Sequence, residues 1–287
     1  WKLGLKFSDL DSFFSDEIQE PNFHASLNWK DGNETIQSWK ENIFANAPPA
    51  IPHSLKRIKY LKAIAENLSQ PSATRSVPPE LLTNGTGLAS VVSYLMTTEP
   101  DRFRKLVKQL KKVIPEVDGL RTQPFIPDGQ GERKDQLLYD MKGAERLPAH
   151  SISDGTLIAT GLLAALIGAE EETPQFLMID DLERGIHPKA QRELVSVLRK
   201  VLEQRPDLQI VFTTHSPYIV DELAPEETWL LNTDADGVAH ARRLSEHPDA
   251  EKSLQVLTTG EFWSAEGEDW VVDDGASDEA AAQSSAE

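Results

Sequence analysis

Cysteine is absent from the sequence, which excludes disulfide staples, thiolate nucleophiles and Cys-ligated zinc or iron–sulfur centres, and suits a reducing compartment. Long apolar runs are missing too. The longest, Leu157 to Ile167, is interrupted by Thr160 and Gly161 and falls well short of the ~20 residues that a membrane-crossing helix needs. No signal-peptide pattern is visible, so no membrane partner is expected and the cytoplasm is the expected location. Positive charge is missing from the last stretch, where Ser253 to Glu287 holds nine acidic residues and no Lys or Arg. The formal net charge of -18 is therefore weighted toward that end and does not by itself exclude a polyanionic partner. Residues 271–287 are mostly Asp, Glu, Ala, Ser and Gly, with little to bury, and predict a disordered, solubilising acidic tail. What is present, 287 residues with 39% hydrophobic content, is enough for a sizeable core in one or two domains.

The most informative stretch runs from Phe176 to Pro188, where Phe176-Leu177-Met178-Ile179 leads directly into Asp180, Asp181 and Glu183. Four large apolar residues without alternation predict a strand buried on both faces of a parallel sheet. Ligands of such sheets bind beyond the carboxyl ends of the strands, and hard cations such as Mg2+ prefer carboxylate oxygens. Upstream, Ser151-Ile152-Ser153-Asp154-Gly155-Thr156-Leu157 opens the apolar run Ile158 to Ile167, which predicts a buried helix. Its N-terminus suits an anion, with glycine allowing close backbone approach and Ser153 or Thr156 adding a hydroxyl. The alternative is a plain Ser/Asp helix cap. Downstream, Ala190, Leu194, Val197, Leu198 and Val201 form a helical stripe, and Gln209 to Thr213 predicts a second buried strand. This is a βαβ crossover. It sets Thr213-Thr214-His215-Ser216 on the same edge as Asp180, with Pro217 opening a short helix to Leu223.

Elsewhere the pattern is coarser. Lys2 to Phe7 alternates, and Phe23 to Trp29 and Glu34 to Trp39 flank Lys30-Asp31-Gly32-Asn33, an Asp-Gly hairpin signal. Pro-rich stretches punctuate helical segments around Ser54 to Leu68 and Leu88 to Met96, so the middle of the chain is expected to be mostly helical. Phe103, Leu106, Val107, Leu110, Val113 and Ile114 recur at helical spacing among Arg102, Arg104, Lys105, Lys108, Lys111 and Lys112. Such a basic amphipathic helix is either a solvated face or a site for DNA phosphates. Thr122 to Lys134, rich in Pro and Gly, is expected to be a mobile loop, and Trp229 to Asn232 with Val238 to Arg242 a hairpin. Trp263 and Trp270 are expected to pack on the chain's own core.

The order of these motifs resembles the ABC-type ATPase heads of the SMC-like, RecF-like and OLD-like branch, bacterial AAA-family ATPases. Ser151 to Leu157 is similar to the signature motif in its Ser-Asp-Gly-Thr form, Phe176 to Asp180 to Walker B, Glu183 to Pro188 to the D-loop, and His215 to the switch histidine. The resemblance implies an α/β P-loop NTPase fold of ABC type, with a mostly parallel sheet, an antiparallel β region and a helical insertion. It implies a partial ATPase lobe over 1–149, the ATPase core over 150–270, and the tail beyond. Its cofactors would be ATP and Mg2+. Asp180 would hold the metal through water, Asp181 would stand where the catalytic glutamate polarises attacking water, and His215 would contact the γ-phosphate. Ser153, Asp154, Gly155, Thr156 and His187 would be cofactor-binding, with Ser153 and Gly155 reaching ATP held by a second subunit, so that two heads sandwich two nucleotides. DNA and a separate nuclease or toxin effector are the further partners it suggests, in DNA repair or anti-phage defence.

Two departures stand out. Asp181 is one methylene shorter than the family's usual Glu, a deficit Glu183 could offset. No Gly-x-x-x-x-Gly-Lys-Ser/Thr occurs in the sequence; the chain begins at Trp1 and the resemblance places that loop upstream, so an N-terminal truncation is expected. Two rival readings follow: a nucleotide-gated scaffold that does not hydrolyse, and a metal-dependent nuclease binding metal directly through Asp180, Asp181, Glu183 and His187.

Overall fold

The computed structural model describes residues 58–126, 131–168 and 175–272, and before them the backbone of two strands, β1 (Lys2–Lys6) and β2 (His24–Asn28). These two pair antiparallel, Lys2 opposite Asn28 and Lys6 opposite His24. The expected hairpin partner of 23–29, Glu34 to Trp39, lies outside the described residues, as does the tail beyond Val272.

Among the described residues, the sheet that carries the acidic cluster has three parallel strands in the order β3 (Ile58–Leu61), β7 (Phe176–Ile179), β8 (Gln209–Phe212). Strand β7 is central, so both of its edges are satisfied. Its side chains alternate more than four consecutive apolar residues suggest. Leu177 and Ile179 are buried, whereas Phe176 and Met178 are only half-buried. Strand β3 corrects a sequence expectation, because the helix expected over Ser54 to Leu68 begins only at Ala65, in α1 (Ala65–Ser69). Ile58 and Tyr60 are β-formers, and pairing residue for residue with β7, Ile58 opposite Phe176 and Leu61 opposite Ile179, overrides the weak helical spacing.

Helix α4 (Asp154–Ile167) is the centre of the molecule. Every residue from Gly155 to Ile167 is buried, the mark of a helix covered on all sides. It packs on α1, on α2 (Leu88–Thr98) and on the basic helix α3 (Pro100–Val113). Helix α5 (Pro188–Gln204) supplies the crossover between β7 and β8 and buries Ala190, Leu194, Val197, Leu198 and Val201 as the periodicity predicts. One continuous core runs from Leu61 to Ile219.

The middle of the chain is less helical than expected. An antiparallel sheet, β4 (Val117–Phe125), β5 (Lys134–Met141) and β6 (Ala144–Pro148), follows α3. The two ends of the expected loop Thr122 to Lys134 are strand instead, with Thr122 opposite Leu137 and Phe125 opposite Lys134. Pro124, which made the segment look irregular, is tolerated because β4 is an edge strand of the three among the described residues. Tyr139 of β5 is fully buried and its hydroxyl donates to Thr160 Oγ1 of α4 at 3.0 Å.

After the short helix α6 (Pro217–Val220), the expected hairpin forms from β9 (Trp229–Thr233) and β10 (Ala239–Arg243). With α7 (Ala250–Ser253) and α8 (Thr259–Glu266) it closes a second, smaller core of Leu230, Leu244, Ala250, Phe262 and Val271. Trp263 and Trp270 pack against this core, as expected. Among the described residues no helix is long and apolar enough to cross a membrane.

Two glycine contacts set the position of α4. A Cβ on Gly161 would stand 2.6 Å from Leu68 Cδ2, and a Cβ on Gly155 would stand 2.2 Å from the Gly185 carbonyl oxygen. The first neighbour is a side chain and the second is backbone, so the two positions differ in tolerance. Leu68→Ala, which empties a fully buried site, is expected to cost about 2–5 kcal/mol in denaturant unfolding. Gly155→Ala is expected to cost about 1–3 kcal/mol or more, through displacement of the turn that carries Gly185. Thermal and urea unfolding of both variants check these values.

Candidate functional site

The register of the parallel sheet creates the site. One residue past the paired region on each strand lie Lys62, Asp180 and Thr213, and the ladder continues into them: Asp180 N–H donates to the Leu61 carbonyl and Thr213 N–H to the Ile179 carbonyl, both at 3.0 Å. Parallel partners share a face, so the three side chains form a row at the carboxyl edge. Lys62 Nζ lies 2.7 Å from Asp180 Oδ2, and the Thr213 hydroxyl donates to Asp180 Oδ1 at 3.1 Å. The hydrogen bond from Lys62, aided by that from Thr213, holds the Asp180 carboxyl below the usual carboxylate range, against partial burial that opposes it. The same bond raises the Lys62 ammonium.

The acidic cluster then turns sharply. Asp181 has φ +52°, in the left-handed region, where Asp is among the better tolerated non-glycine residues. Its N–H donates to Thr213 Oγ1 at 2.9 Å and its carboxylate pairs with Arg184 at 2.7 Å. Leu182 is fully buried and donates its N–H to the Thr213 carbonyl at 3.0 Å. Glu183 points back toward the end of β8: one oxygen accepts from His215 N–H at 2.8 Å and the other from the Thr214 hydroxyl at 2.7 Å. Further along, the buried Ser216 hydroxyl donates to Gln191 Oε1 at 2.5 Å, and Gln191 Nε2 donates to the Ile186 carbonyl at 2.7 Å. The turn 181–187 is thus fastened to Thr213–Ser216 along its whole length.

The other expected site residues fall around this turn. His215 is exposed, and its ring makes no hydrogen bond to a described residue, leaving it open to a ligand. His187 caps α5, its Nδ1 accepting from Lys189 N–H at 3.3 Å. Ser153 is the cap residue of α4, its carbonyl accepting from Leu157 N–H at 3.1 Å, while its hydroxyl pairs with Thr156 Oγ1 at 2.9 Å and makes no capping bond to the backbone. Ser153 and Asp154 are exposed, whereas Gly155 and Thr156 are buried. The small size of Gly155 is used against Gly185, whose φ of +66° suits glycine. A cavity of about 600 Å³ opens beside this contact, between Ile64 and Glu66 of the α1 region, His150, Asp154 and Arg184.

Among the described residues no three His, Cys, Asp or Glu side chains converge to hold a metal. Glu183 is turned to the β8 loop and His187 to the start of α5, so the four ligands that a nuclease reading requires are not gathered. Asp180, a single carboxylate at the strand edge, is the group that would hold Mg2+, which commonly takes one or two carboxylates and fills its remaining positions with water and substrate phosphate.

Sequence reasoning missed Lys62, because the helix expected over Ser54 to Leu68 hid the strand that delivers it. It also missed Arg184, Thr213 and Gln191 as the groups that fix the turn. The signal for Lys62 was a β-forming Ile-Lys-Tyr-Leu run directly before it.

Over 86 residues the chain is 32% identical to the Septu protein PtuA of Bacillus thuringiensis, a match that spans 30% of this chain and 20% of that protein. Solved structures with partial likeness include an SMC ATPase studied for ATP-driven dimerization and DNA-stimulated activation, at 14% identity and a TM-score of 0.41, covering 57% of this chain and 94% of that one. Another is the Smc head domain of Pyrococcus furiosus bound to the C-terminal domain of ScpA, at 12% identity and a TM-score of 0.41, covering 57% of this chain and 40% of that one. The family described as "AAA domain, putative AbiEii toxin, Type IV TA system" matches residues 7–221. With most of its length inside that match, the chain belongs to this family of AAA domains.

Proposed function

We propose that the protein is an ATP-binding and ATP-hydrolysing head of the ABC type that dimerises on ATP and acts as a switch. The observation that carries this reading is the joining of three sequence-distant segments on one sheet edge: the α4 N-terminus through Gly155 against Gly185, the acidic edge through Thr213, and the His215 loop through Glu183. A bound Mg2+ would neutralise phosphate charge and leave the protein to position and polarise. Asp180 is assigned to the metal through water and Asp181 to the attacking water. The open ring of His215 is assigned to the γ-phosphate. Ser153 and Asp154, exposed at the start of α4, are assigned to nucleotide held by a second head. Glu183, with both oxygens engaged by Thr214 and His215, is assigned the positioning of the histidine loop.

The surroundings of this core suggest partners. Arg104, Lys108, Lys111 and Lys112 are exposed on α3 and give a basic face that DNA phosphates would fit. The family's toxin–antitoxin description and the Septu relative support a place in anti-phage defence or DNA repair, acting with a separate nuclease or toxin chain. A second reading, a nucleotide-gated scaffold without turnover, is favoured by one observation. One oxygen of the Asp181 carboxylate is paired with Arg184 at 2.7 Å, which competes with its use in polarising water.

ATP turnover by the full-length gene product, measured across protein concentrations, separates the two. Specific activity that rises with concentration, and that falls about 10²-fold or more in His215→Ala and Asp181→Asn, is the expected result. Nucleotide-dependent dimerisation with no turnover at any concentration would establish the scaffold instead. Glu183→Gln is expected to lower kcat while leaving KM nearly unchanged, and to cost about 1–3 kcal/mol of stability, because its single amide oxygen can accept only one of the two bonds and without the charge; steady-state kinetics paired with chemical unfolding tests this.

A further inference from the structure

The two carboxylates at the strand edge are already neutralised by cations of the chain itself. Lys62 pairs with Asp180 and Arg184 with Asp181, each at 2.7 Å. Both oxygens of Asp180 are in use, one by Lys62 Nζ and the other by the Thr213 hydroxyl. An ion arriving at Asp180 therefore meets an ammonium group, not an open carboxylate.

The two halves of the Lys62 contact differ in mobility. Its backbone is held, since it follows β3 directly and its N–H donates to the Thr83 carbonyl at 2.9 Å. Its side chain is 49% exposed, against 24% for Asp180. A flexible four-carbon stem on a fixed backbone can leave one anion for another within its reach. The phosphate oxygens of a nucleotide at this edge would be such an anion, carrying more charge than the single carboxylate. Tyr60, two residues earlier on the same face, is partly buried, and nothing else of positive charge among the described residues pairs with Asp180 at salt-bridge distance.

We propose that Lys62 is an internal counter-cation of the nucleotide site: without nucleotide its ammonium holds the place at Asp180 that the water shell of a divalent cation takes, and incoming phosphates draw it away and admit the hydrated metal. Metal and nucleotide thus enter together. The proposal rests on the assignment of this edge to nucleotide and adds the residue that orders the two binding events.

The test uses Mn2+ alone, with nucleotide-free full-length protein, followed by electron paramagnetic resonance or calorimetry. Removing an ion pair of this exposure should tighten Mn2+ binding about three- to tenfold in Lys62→Met, and Lys62→Gln should agree with it. Lys62→Arg should remain like the wild type. Adding Asp180→Asn to Lys62→Met should abolish the gain. Binding of ATP in the presence of a chelator should weaken several-fold in Lys62→Met and be retained in Lys62→Arg. A residue that served only the fold would weaken both metal and nucleotide, with a lowered melting temperature. Mn2+ binding in folded Lys62→Met and Lys62→Gln that is no tighter than in the wild type, or undetectable in all, overturns the counter-cation role. Tighter Mn2+ with unchanged ATP affinity overturns the transfer of Lys62 to phosphate. If no form of the protein binds ATP, the nucleotide assignment fails, while the Mn2+ comparison still decides whether Lys62 guards Asp180.

Discussion

Everything at the strand edge depends on one close contact, the carbonyl of Gly185 lying where any side chain on residue 155 would have to be. That contact brings the N-terminus of the buried helix α4 against the turn after β7 with no intervening atoms. The same turn is fastened on its other side to the end of β8 by Thr213, Glu183 and Gln191. A movement of the turn is therefore felt at both Ser153 and His215, although neither residue touches the other. Packed interiors transmit displacement of this kind because they have no slack to absorb it.

The sequence made the centre of this arrangement legible and left its margins obscure, for physical reasons. Helix α5 was readable because Ala190, Leu194, Val197, Leu198 and Val201 repeat at the helical period, and burial follows that period. Strand β7 was readable from its apolar content, but which of its faces is covered depends on neighbours far away in the chain. Strand β3 was not readable, since Ile58–Leu61 is only four residues long and acquires its structure from β7. The sheet β4–β5–β6 was hidden by Pro124, which an edge strand accepts and a central strand would not. The site followed the same division. Asp180, Asp181 and His215 announce themselves by type and spacing, whereas Lys62 and Thr213 acquire meaning only from the register of three strands.

Charge is distributed in two regimes. Across the whole sequence the balance is strongly negative, at -18, but within the strand edge Asp180 and Asp181 each have a cation of their own, Lys62 and Arg184. Ion pairs of such exposure contribute little to stability, so their value lies elsewhere. They keep two adjacent carboxylates from repelling one another while no ligand is bound, and they can be given up cheaply. A site that must exchange its internal cations for external ones is better served by weak pairs than by deeply buried ones, whose rupture would leave an unpaired charge at much greater cost.

Asp181 shows how backbone geometry bears on chemistry at the same place. A left-handed non-glycine residue costs about 1–3 kcal/mol and persists only where its surroundings over-determine it. Here they do, because its N–H is held by the Thr213 hydroxyl, the next N–H by the Thr213 carbonyl, and Leu182 is buried. Asp suits that conformation better than Glu, as a short polar side chain bonds locally with least steric conflict. The shorter acid is therefore consistent with the turn that carries it, and what it loses in reach toward a ligand it gains in local fit. The turn and the reacting atoms make opposed demands on one side chain, and Arg184, holding the Asp181 carboxylate, is the group whose release would let the second demand prevail.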